Sequence, residues 1–95
     1  MRVDGNWKLE LDVPAGPREV TVRLTSVGRF LSGVWSDGTV SHSFDGGTVN
    51  NGSLSWEVPA HGLRFDAQVD KNEMSGTVEM SGGSANGQFH GRRVA

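Results

Sequence analysis

Leu63-Arg64-Phe65-Asp66-Ala67-Gln68-Val69-Asp70 is followed by Lys71-Asn72 and then by Glu73-Met74-Ser75-Gly76-Thr77-Val78-Glu79-Met80. Apolar and polar side chains alternate on both sides of the Lys71-Asn72 pair. A β-strand turns successive side chains to opposite faces, so Leu63, Phe65, Ala67 and Val69 share one face, as do Met74, Val78 and Met80. Lys71-Asn72 reads as the turn between two paired strands.

The period of two continues toward the N-terminus. Trp7, Leu9, Leu11 and Val13 alternate with Lys8, Glu10 and Asp12, predicting a first strand that ends at Pro14-Ala15-Gly16-Pro17. Val20, Val22 and Leu24 predict a second, and Gly28 a change of direction. Phe30 to Trp35 forms a third, whose inward face is undecided because both parities carry apolar residues. Asp37-Gly38 tolerates positive φ and predicts a tight turn into a fourth strand bearing Val40, His42 and Phe44. Asp45-Gly46-Gly47 is expected to end that strand, with Val49 a short rung before Asn50-Asn51-Gly52. Leu54, Trp56 and Val58 predict a fifth strand up to Pro59. Beyond the opening stretch, Gly82-Gly83-Ser84 breaks the chain before Ala85, Gly87, Phe89, Gly91 and Arg93.

This pattern predicts an all-β domain spanning residues 1–95, with about eight short strands. Short connections favour a meander, and closing it removes exposed sheet edges. The expectation is an antiparallel up-and-down barrel, with a curled sheet or β-sandwich as the alternative. Gly76, Gly87 and Gly91 lie inside strand patterns, where a missing Cβ permits sharp bending across a narrow interior.

Composition narrows function mainly by exclusion. Ninety-five residues at 35% hydrophobic content, with 14 glycines, support one small core. A net charge of -2 supplies no field to gather nucleic acid, and the few aromatics are not interleaved with basic residues, so no nucleic-acid partner is expected. Without cysteine there is neither disulfide nor thiol chemistry, while the compartment stays open. Charges at Arg2, Asp4, Lys8, Glu10 and Asp12 argue against a signal peptide or membrane insertion.

Gly5-Asn6-Trp7 resembles the Gly-x-Trp that starts the first strand of lipocalin-like and avidin-like barrels. The resemblance implies a calycin-like architecture in which an arginine of the last strand packs across the tryptophan. Arg93, sharing parity with Phe89, is the best match for that arginine. Phe30-Leu31-Ser32-Gly33, Gly47-Thr48-Val49-Asn50-Asn51-Gly52, Met74-Ser75-Gly76-Thr77-Val78 and Gly87-Gln88-Phe89-His90-Gly91-Arg92-Arg93 are similar to small Gly-rich β domains found alone or appended to bacterial hydrolases. That second resemblance implies a bacterial accessory domain in the periplasm or exterior, while the absence of cysteine equally permits the cytoplasm, and the resemblance carries no catalysis with it.

Chemistry-bearing residues are scattered. His42, His61 and His90 lie in separate segments without metal-ligand spacing, so neither metal nor cofactor is expected. Glu57, Asp66 and Asp70 read as solvated strand positions, and no nucleophile-elbow motif accompanies the serines. Gly46-Gly47 and Gly82-Gly83 precede no helix that could hold an anion. No catalytic residue is assigned, and an enzyme is the weakest of three alternatives.

The leading expectation is a noncatalytic binding or accessory module for a small apolar or amphipathic ligand, or for a partner protein. His42, Phe44, Trp56 and Phe65 are the expected lining of the barrel mouth. Trp7 and Arg93 are the expected structural closure. The alternative is a self-association module forming a homodimer, with Trp35 as its apolar anchor if that side chain faces outward.

Overall fold

The computed structural model describes residues 3–13, 16–59, 62–80 and 85–94. Eight strands follow in chain order: β1 (Gly5–Val13), β2 (Gly16–Val27), β3 (Phe30–Ser36), β4 (Ser41–Asn50), β5 (Ser53–Val58), β6 (Leu63–Asp70), β7 (Glu73–Met80) and β8 (Ala85–Val94). Each pairs antiparallel with its sequence neighbour, and β8 returns to β1, closing an up-and-down barrel. Closure supersedes the curled sheet and the sandwich.

Turn chemistry fixes the register. Asn51 and Gly52, with φ of 50° and 85°, join β4 to β5 in the doubly left-handed geometry that suits a two-residue hairpin. At Asp37-Gly38, Asp37 Oδ1 accepts from the backbone N–H groups of Thr39 and Val40, at 2.9 and 3.0 Å. The β1–β2 ladder extends to Asp12–Pro17 and Val13–Gly16, so Gly16 and Pro17 belong to β2 rather than to the preceding loop. Proline is tolerated there because it stands at the start of the strand.

The fourth strand also differs from expectation. Asp45-Gly46-Gly47 does not end it. β4 runs from Ser41 through Asn50, and its register against β3 shifts between the Gly33–Phe44 and Leu31–Gly47 pairs. Asp45 and Gly46 together oppose the single residue Ser32, a β-bulge that keeps the strand paired while reversing its parity. Phe44 before the bulge and Gly47 after it both face inward as a result.

The inward faces supply the core: Leu9 and Leu11 of β1, Val20, Val22 and Leu24 of β2, Leu31 and Trp35 of β3, then Phe44, Leu54, Trp56, Phe65, Met74, Val78 and Phe89 around the circuit. No buried polar or charged residue accompanies them among the described residues. Glycine makes the narrow circuit sterically feasible. A Cβ on Gly76 would collide with the Asp66 carbonyl oxygen, and one on Gly91 would lie 2.8 Å from the Lys8 carbonyl oxygen. These positions let adjacent strands approach more closely than any side chain would allow.

Candidate functional site

Three of the four residues expected to line a binding mouth form the packed interior. Phe44, Trp56 and Phe65 are 7%, 1% and 0% exposed. Their rings stack in series, with centroids 5.9 Å apart for Phe44–Trp56 and 4.8 Å for Trp56–Phe65. Phe89 of β8 meets Phe65 edge-on at 5.4 Å, completing an aromatic cluster that spans the barrel. His42 stands apart from it, half-buried and stacked at 6.4 Å on Trp35, its rung partner across the β3–β4 ladder. The structure therefore brings Phe44, Trp56 and Phe65 together as core and leaves His42 beside a different ring.

Trp35 is 2% exposed and faces the core, which corrects its reading as an outward anchor. The physical reason is register. Trp35 pairs with Val22 and shares parity with Leu31, both buried, while Phe30 and Val34 occupy the outer face of β3.

Trp7 and Arg93 are rung partners in the β1–β8 ladder, and the guanidinium carbon lies 4.5 Å from the indole centroid. Arg93 also donates from Nη1 to the Asp4 carbonyl oxygen and from Nε to Asn72 Oδ1 at 3.1 Å. Val3 folds over the same end, its carbonyl accepting from Trp7 Nε1 at 2.9 Å, and Ser26 Oγ donates to Asp4 Oδ1. One cation thereby ties β1, β8 and the β6–β7 turn across the mouth. The buried role of Val3 was invisible in the sequence because it lies outside the alternating run that begins at Trp7.

Several charged side chains on the outer face form local pairs. Lys8 lies 3.3 Å from Glu19, Arg64 lies 3.6 Å from Asp66, and His90 Nε2 lies 3.3 Å from Glu10. His61 lies outside the described residues. Among those described, no group of three or more histidine, aspartate or glutamate side chains converges as metal ligands would. One outer depression, about 390 Å³, is bordered by hydroxyl and amide groups of Thr48, Asn50, Ser53, Ser55, Gln68, Ser75 and Thr77, together with Asp66.

Among the described residues, the most exposed large apolar side chains sit on the β2–β3 hairpin. Gly28, with φ of 61°, turns the chain so that Val27 and Phe30 become rung partners. Both point outward, at 72% and 74% exposure. The tip is held in place, since the Arg29 carbonyl accepts from the Val49 N–H at 2.9 Å. Val34 continues the apolar parity along β3 and is also exposed. The signal was present in the sequence. Val27 breaks the parity of Val20, Val22 and Leu24, and Phe30 next to Leu31 requires one of the two to face out.

Comparison with known proteins finds no matching protein-family model and no matching curated sequence.

Proposed function

We propose that this chain is a noncatalytic binding module that meets a partner protein through its outer surface, with the Val27–Phe30 hairpin as the contact. The observation that carries this reading is the contrast between an aromatic-filled interior and two large apolar side chains left exposed on one anchored rung. Interior space for a small apolar ligand would require displacing the Phe44–Trp56–Phe65 stack. Exposed aromatic anchors on a rigid element suit protein contact instead, because little conformational freedom is lost on binding. The Gly5-Asn6-Trp7 start, with Arg93 across Trp7, supports a calycin-like subtype for the barrel.

The test is site-specific photo-crosslinking in the native host, from a photoreactive residue at position 30 and, as control, at position 77 on β7. The expected result is a discrete adduct from position 30 alone, lost on Val27→Ser. Equal labelling from both positions, or none from position 30, would contradict the proposal. A second reading, homodimerisation, is favoured by the outward line of Phe30 and Val34 on β3. In that case the adduct has twice the mass of the chain, and Phe30→Ser abolishes concentration-dependent association in sedimentation.

A further inference from the structure

The outer depression of about 390 Å³ runs across the strands rather than along them. One wall is the ladder row Thr48–Ser55–Asp66–Thr77, and the other is the row Asn50–Ser53–Gln68–Ser75. Between them lies the row Leu54–Ala67–Gly76, whose parity is inward, so the floor is backbone. Positions two apart on a strand stand roughly 7 Å from each other, and crossing four strands takes roughly 14 Å. A slot of that width and length admits a few linked sugar rings.

The walls carry hydroxyls, two primary amides and one carboxylate, with neither lysine nor arginine among them. Hydroxyls and primary amides both donate and accept, which suits a ligand whose own groups do the same. The serine and threonine side chains are short and lose little rotamer freedom on binding, and Gln68 Nε2 is already held by Ser53 Oγ at 3.1 Å. Asp66 is half-buried in the middle of its row, with Arg64 Nε 3.6 Å away to offset its charge. A phosphate or nucleic acid finds no cation in these walls. A peptide strand finds no edge, because Leu54, Ala67 and Gly76 are laddered on both sides. Thr48 is also the rung partner of Phe30, which puts an exposed ring at one end of the groove for the apolar C–H face of a sugar.

We propose that this groove binds a neutral oligosaccharide, laid across β4 to β7 with its hydroxyls bonded to both walls. Asp66 accepts from sugar hydroxyls in charge-assisted bonds, stronger than those of the neutral groups beside it. Asn50 and Gln68 bond the ligand from the opposite wall. The site does not rest on the Val27–Phe30 contact, although Phe30 borders both. An oligosaccharide held there supplies no protein adduct at position 77, so the crosslinking contrast with position 30 is unaffected.

The experiment is titration of the whole protein with cellotetraose, maltotetraose and the N-acetylglucosamine tetramer, followed in proton–nitrogen correlation spectra, with glucose and a galacturonic acid tetramer as comparisons. Expected with at least one neutral tetramer is a saturable shift of the amides of Ser53–Ser55, Asp66–Gln68 and Ser75–Thr77 and of the side-chain amides of Asn50 and Gln68. The Trp56 indole should stay in place, and glucose and the acidic tetramer should bind more weakly. Thr77→Arg lays a long side chain into the groove from an exposed position, and Asp66→Asn removes the charged acceptor with almost no change of shape. Each should weaken binding roughly tenfold. No saturable shift with any neutral tetramer, shifts centred elsewhere, tighter binding of glucose or the acidic tetramer, or affinity indifferent to both substitutions would overturn the proposal. None of these outcomes alters the crosslink expected from position 30, so the two readings fail separately.

Discussion

At the scale of single residues, the Trp7–Arg93 pair and the inward glycines carry most of the structural argument. Trp7 is fully buried and bonded to Val3, so Trp7→Ala removes a large packed ring and leaves a cavity. The expected cost is about 3–5 kcal/mol, read as a lowered urea midpoint with unchanged slope. Arg93→Ala should cost less, about 1–3 kcal/mol, because the cation–ring contact and the hydrogen bonds to Asp4 and Asn72 lie partly in solvent. An unaltered midpoint in the Trp7 variant would refute the placement. Gly76→Ala should destabilise despite its conservative size, since its Cβ meets the Asp66 backbone rather than a side chain that can turn away. Phe30→Ser, on an exposed surface, should stay within about 0.5 kcal/mol of the unsubstituted protein, which separates binding from folding.

Strands were legible where alternation was clean and obscure where it broke. β1, β6 and β7 follow from their parity alone. β4 did not, because Asp45-Gly46-Gly47 satisfies the chemistry of a turn and of a bulge equally, and only the β3 partner strand distinguishes them. Register decided the fate of the candidate site in the same way: parity put Phe44, Trp56 and Phe65 on inward faces without revealing that their rings would meet and fill the space. Hydrogen exchange reads both ends of this argument. Amides of β4 around Ser43–Gly46 should exchange faster than those at Thr48–Asn50, where the β5 ladder is formed. Removing residues 91–95 takes away the Leu9–Gly91, Lys8–Arg92 and Trp7–Arg93 rungs, so protection from Trp7 to Leu11 should fall with it. Retained protection there would contradict closure through β8.

For the whole molecule, most large apolar side chains pack in the barrel interior, while Val27 and Phe30 stand exposed on its outer face. The three tryptophan indoles report on that interior, while Val27, Gly28, Arg29 and Phe30 report on the outer hairpin, and all appear in one proton–nitrogen correlation spectrum. Titrating the protein with lipids, small aromatics and sugars while following these signals tests the account most directly. The Trp56 indole should hold its position throughout, with no saturable shift of Trp7 or Trp35. A saturable shift of the Trp56 indole on adding any of these small compounds would show a ligand entering the barrel, and the reading of a filled interior with an external contact would be wrong.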